Sequence, residues 1–211
     1  MSKSVLQAVG WVFSLGCCGA TIGVTLSHKW KKNTVEGIHH SVLDSVSNVA
    51  GLWDFCQVFP SGQTQCWPIA ATSVPALLLF CRILMIFGIL LGCVAGFLTI
   101  CSFKCTTLGP EARHAREKLS LYCGLMNLLS GICVVVATSS YIYETLNTPP
   151  SVDPRGQSVM NEVSEAAQIS LAFSIIWCLA SVVMIAGSTT TAEPKVKYHY
   201  PTKPIPMQEY V

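Results

Sequence analysis

Charge is scarce in this sequence. Of 211 residues only 11% are Asp, Glu, Lys or Arg, 51% are hydrophobic, and the mean hydropathy is +0.51. One soluble core of ordinary proportions does not absorb that much apolar surface, so a soluble globular domain is excluded. Acidic residues and histidine are missing altogether from four long apolar runs, Val5 to Leu26, Ile83 to Phe103, Leu119 to Tyr143 and Ala166 to Gly187. That absence argues against a proton relay, an ion pump or a transporter with a midplane site. The chain also has no glycine-rich phosphate loop, nucleophile elbow or His-Glu-x-x-His helix, and no Asn-x-Ser/Thr sequon free of proline. No enzymatic activity, cofactor or N-glycosylation is therefore expected. The adjacent His39 and His40 cannot share a helix face and have no second ligand cluster nearby, so they read as solvent-facing loop residues rather than a metal site. No basic footprint for nucleic acid is present.

What is present is membrane-length hydrophobicity. Each of the four runs reaches the roughly 20 apolar residues that a helix needs to cross the hydrocarbon layer. The second begins earlier than its uncharged stretch, near Pro75, which places Arg82 inside its outer turns. The first reads as a retained helix. Its uncharged stretch exceeds a typical signal-peptide core, and Gly19-Ala20-Thr21 offers a poor cleavage context.

Basic residues set the expected orientation. Lys3, the group Lys104, Arg113, Arg116 and Lys118, and the tail lysines Lys195, Lys197 and Lys203 fall on one side; Lys29, Lys31, Lys32 and Arg155 fall on the other. Both termini are thus expected in the cytoplasm. The division is a cytoplasmic N-terminus (1–4), spans at 5–26, 75–103, 119–143 and 166–187, extracellular loops at 27–74 and 144–165, a cytoplasmic loop at 104–118 and a cytoplasmic tail at 188–211. Cytoplasmic segments sum to +4, the first extracellular loop to zero and the second to −3.

Eleven cysteines could signal a disulfide scaffold, but most lie in apolar runs. Cys17, Cys18, Cys81, Cys93, Cys123, Cys133 and Cys178 read as small hydrophobes. Cys101 and Cys105, at the cytoplasmic end of the second span, fit either palmitoylation or helix-end packing. Cys56 and Cys66 fall in an extracellular loop on the oxidising side and are predicted to form a disulfide across a hairpin. Val42, Val46 and Val49 are β-branched, residues 49–58 mix aromatic and branched side chains, and Pro60-Ser61-Gly62 is a turn signal. So small a sheet needs both the staple and a surface to rest on. Trp30, Leu52 and Trp53 suit that role, with Arg82 below them meeting loop carbonyls. Glycines at 16, 19 and 23, at 88, 92 and 96, and at 124 and 131 allow close backbone approach; packing within one bundle is the favoured reading, lateral association of two copies the other.

The tail is polar and rich in proline, and closes on Gln208-Glu209-Tyr210-Val211. A terminal valine carboxylate is what a PDZ domain captures as an added edge strand.

Together, Trp30, Gly51-Leu52-Trp53, Cys56 and Cys66 in order and spacing, Arg82, and the terminal Tyr210-Val211 make the chain resemble the claudins, tetraspan proteins of tight junctions. The loop motif is shared with peripheral myelin and epithelial membrane proteins and with auxiliary subunits of calcium channels and glutamate receptors; tail and length favour claudins. The resemblance implies an α-helical membrane fold, a left-handed four-helix bundle topped by a five-stranded antiparallel extracellular sheet, at the plasma membrane. It implies polymerisation into strands with itself and other claudins, in cis and trans, and tethering to zonula occludens scaffolds through the tail.

Two departures stand out. Phe59 and Trp67-Pro68 sit where pore-forming members carry charge beyond the cysteines, and the second loop has Pro149-Pro150 and Val152-Asp153-Pro154-Arg155 in place of the family's aromatic-Asx-Pro-Leu turn. Fixed charge in a narrow groove acts within about 8 Å at physiological salt, so Lys29, Lys31, Lys32 and Asp54 are the residues expected to tune permeability. With the first loop neutral, a barrier role is expected ahead of a charge-selective paracellular channel or an auxiliary channel or receptor subunit.

Overall fold

A computed structural model describes residues 3–36, 47–59, 61–70, 74–104, 110–152 and 158–189. The described residues form four helices, α1 (Lys3–Thr25), α2 (Ala76–Lys104), α3 (Pro110–Asn147) and α4 (Glu165–Thr189), with β1 (Lys31–Glu36), β2 (Ser47–Ala50), β3 (Asp54–Val58) and β4 (Thr64–Pro68) between α1 and α2, and β5 (Ser151–Val152) and β6 (Ser158–Val163) between α3 and α4. All four helices are long and apolar enough to cross a membrane. α1 packs on α2 and α4, and α3 closes the bundle against the same two helices.

α3 extends well beyond the apolar run that starts at Leu119. Its first turns, Glu111-Ala112-Arg113-His114-Ala115-Arg116-Glu117-Lys118, hold no apolar stripe, and consist mainly of good helix formers. Hydropathy marks where a helix enters lipid, whereas propensity carries it further.

Small residues bring the helix axes together. A Cβ on Gly92 would stand 2.4 Å from Cζ2 of Trp177, and one on Gly131 2.8 Å from the Cys178 sulfur. Gly88 and Gly124 are likewise filled by neighbouring helices. Gly16, Gly19 and Gly23 on α1 differ, because nothing lies within 4 Å of the added carbon at any of them. The expectation of packing within the bundle thus fits the glycines of α2 and α3 and fails for these three.

Polar groups at the centre of the bundle are paired, as the cost of burying them demands. Asn127 on α3 is the hub: Ser14 Oγ donates to its Oδ1 at 2.7 Å, Trp177 Nε1 donates to the same oxygen at 3.3 Å, and its Nδ2 donates to the Cys123 carbonyl. Three helices therefore meet at one amide. Ser130 Oγ donates to the Gly88 carbonyl and ties α3 to α2.

The sheet has strand order β4-β3-β2-β1-β6-β5, every neighbouring pair antiparallel. It has six strands rather than the five implied by the resemblance. The extra one is β5, a two-residue ladder on β6 that Pro149-Pro150 immediately precedes. β1 pairs with β6 from Lys31↔Val163 to Glu36↔Ser158, so the first and second loops share one sheet. Cys56 stands opposite Cys66 in the β3–β4 register and is bonded to it, as expected from the sequence. The connecting turn uses Gly62 at φ 80°, a left-handed conformation that favours glycine. Val42, Val46, Pro60, His39 and His40 lie outside the described residues.

Candidate functional site

The sheet meets the bundle at the end of α1, where the last carbonyls of a helix have no partner within it. Two indoles supply donors there. Trp30 Nε1 donates to the Val24 carbonyl at 2.9 Å and Trp53 Nε1 donates to the Thr25 carbonyl at 3.0 Å. The β1 and β2–β3 segments thereby cap the helix that leads into them. Trp30 is fully buried, and its ring meets Tyr141 of α3 edge-on at 5.3 Å. Its backbone is fixed from both sides, the N–H donating to the Ala50 carbonyl and the C=O accepting from Ser164 N–H.

The Gly51-Leu52-Trp53 turn is held by three contacts. Gly51 N–H donates to the Asp54 carbonyl, Leu52 is wholly buried, and Arg82 Nε of α2 donates to the Leu52 carbonyl at 2.7 Å. The Arg82 guanidinium also lies over the Trp53 ring, 5.1 Å from its centroid. Stacking on an aromatic face offsets part of the cost of a buried cation. Nη2 of the same guanidinium is buried with no hydrogen-bond partner. Gly51 itself admits no side chain: a Cβ would stand 2.8 Å from the Ser27 carbonyl and 3.0 Å from the His28 Cα. The turn therefore sits backbone-to-backbone on the α1–β1 junction.

The charged residues expected to tune permeability are placed differently from one another. Lys29 and Lys32 are exposed, Lys31 is half-buried, and Asp54 contacts the imidazole of His28. Burial lowers the Lys31 ammonium from its usual value, and the Glu144 carboxylate opposes that shift. Cys101 is free and partly exposed at the end of α2; Cys105 and the terminal Tyr210 and Val211 lie outside the described residues.

Sequence reasoning passed over His28, Tyr141, Ser164 and Asn127. Only Asn127 carried a local signal, a lone amide inside an otherwise apolar run.

The class of protein is thus a four-helix membrane bundle carrying a disulfide-stapled antiparallel sheet, seated through two tryptophans and an arginine. Residues 3–189 match the PMP-22/EMP/MP20/Claudin family, and the chain belongs to it. It is similar to claudin-19 of Mus musculus, 29% identical over 92% of this chain and 85% of that protein. It is also similar to claudin-18 of Rattus norvegicus, 31% identical over 67% of this chain and 53% of that protein, and to claudin-15 of Bos taurus, 33% identical over 58% and 52%.

Proposed function

We propose that this chain is a claudin-type structural and adhesion protein of tight junctions that polymerises into strands and restricts paracellular passage. The observation that carries the reading is the sheet seated on α1 through Trp30, Trp53 and Arg82, in a chain matched to the family over 3–189. In this reading the sheet faces the intercellular space, both termini are cytoplasmic, and Tyr210-Val211 binds a PDZ domain of zonula occludens scaffolds. Its partners are further copies of itself and other claudins. Cys101 and Cys105 would carry acyl chains at the cytoplasmic face.

A barrier fits the neutral first loop, whose three lysines balance Glu36, Asp44 and Asp54. Exposure of Lys29 and Lys32 favours one second reading, a charge-selective paracellular channel in which those two ammonium groups line the groove.

Expression in leaky epithelial monolayers tests the choice. Raised resistance with an unchanged dilution potential is the outcome expected of a barrier. Lowered resistance with a shifted dilution potential would establish the channel instead. Freeze-fracture of cells that lack tight junctions should show continuous strands at contacts, and dispersed particles would reject the junctional role in favour of an auxiliary subunit.

A further inference from the structure

The register of the sheet sets five carboxamides in one line. Asn33 is paired with Asn161 on one side and with Asn48 on the other, Asn48 with Gln57, and Gln57 with Gln65. Residues directly opposite on neighbouring strands project from the same face, so the row crosses five strands over about 19 Å. Asn161 comes from the second loop and the other four from the first, and only the joined sheet assembles them. Two positions along β4 from Gln65, Trp67 projects from the same face, is 47% exposed and is paired with Phe55.

Among the described residues, none of the five carboxamides is hydrogen-bonded to another side chain, and Asn48 Oδ1 is buried without any partner. An acceptor sheltered from water and left open is costly, so the stability of the sheet does not explain the row. The five side chains carry no formal charge, and Lys31, two positions before Asn33 on that face, is half-buried. A metal ion or an anion is therefore poorly served here. A carboxamide both donates and accepts, as a sugar hydroxyl does. An exposed indole adds an apolar plane for the C–H face of a sugar ring. None of the three asparagines stands in an Asn-x-Ser/Thr sequon, so they carry no N-linked glycan of their own.

We propose that this face of the sheet binds an uncharged oligosaccharide, the carboxamide row pairing with its hydroxyls and Trp67 carrying one ring. In the proposed orientation the face is extracellular, where such sugars are displayed. Capture requires neither strands nor a PDZ partner, so its failure and that of the junctional role are separate outcomes.

The test uses the full-length, disulfide-bonded chain in an oxyethylene detergent, whose headgroup contains no sugar. It is applied to an array of uncharged hexose and N-acetylhexosamine oligosaccharides beside sulfated and sialylated glycans, and the sugar best retained is titrated by calorimetry. Retention of uncharged oligosaccharides is expected. Trp67→Ala should weaken binding about tenfold through the lost ring contact. Gln57→Leu and Asn48→Leu should each weaken it about two- to tenfold, the worth of one uncharged hydrogen bond. Asn48→Leu also removes an unpaired acceptor, so its unfolding midpoint should equal or exceed the parent's, which a merely structural amide would not give. Met160 precedes Asn161 and projects from the opposite face, so Met160→Gln should leave affinity unchanged. Retention of no glycan, retention of sulfated or sialylated glycans alone, or equal affinity in the parent and Trp67→Ala would each overturn the assignment. So would self-association that Gln57→Leu abolishes in a chain retaining no sugar, which would make a second copy the occupant.

Discussion

Arg82 illustrates how one side chain can join two layers. Its Nε donor satisfies the Leu52 carbonyl, its plane lies on Trp53, and its burial would otherwise be costly. Arg82→Met keeps the length and leaves that carbonyl unpaired, so a loss of about 1.5–3 kcal/mol is expected, the range for hydrogen bonds to charged groups. Thermal unfolding in detergent followed by tryptophan fluorescence measures it, and an unchanged midpoint would mean that the guanidinium does not hold the turn. A pair of glycines separates two roles for small residues. Gly92→Ala drives a carbon into the Trp177 ring, and overpacking should cost about 1–3 kcal/mol. Gly19→Ala meets open space and should be neutral or stabilising by up to about 1 kcal/mol through helix propensity. Equal effects on the unfolding midpoint would contradict the packing described here. Residue by residue, legibility followed chemistry. Cysteines, tryptophans and a lone intramembrane arginine stand out against an apolar background, whereas His28 does not, because its partner Asp54 lies 26 positions away.

At the scale of elements, the β3–β4 hairpin depends on its staple more than the helices do. β4 is an edge strand with every residue exposed, and it buries little apolar surface of its own. Replacing both Cys56 and Cys66 with Ser is expected to cost about 2–4 kcal/mol. The loss should be local: amide exchange accelerates in Asp54–Pro68, while the interiors of α1 to α4 keep their protection. Exchange that rose equally in the bundle would show the staple to be global. The helices were legible because twenty apolar residues in a row have few other solutions in lipid. The start of α3 was not, since its polar first turns carry no hydropathic signal. β6 was hidden for another reason. Ser158–Val163 mixes polar and apolar residues without strict alternation, and its partner β1 is more than a hundred residues earlier, so only the folded bundle makes the pairing available.

For the whole molecule, the β1–β6 pairing makes the two loops one body. Glu162→Pro, placed opposite Lys32 at a hydrogen-bonded pair of that ladder, removes a donor to β1 from a strand interior, where proline is not accommodated. Amide exchange should then rise in Lys31–Glu36 as well as in Ser158–Val163; a change confined to β6 would mean that the loops move separately. The same pairing bears on mechanics. β1 leaves α1 and β6 enters α4 at one end of the ladder, where Lys31 faces Val163. A pull along the strands away from the helices therefore stretches both in the same direction. They behave as two cables side by side: tension runs through covalent backbone into two separate helices, and the hydrogen bonds between them are neither sheared nor peeled.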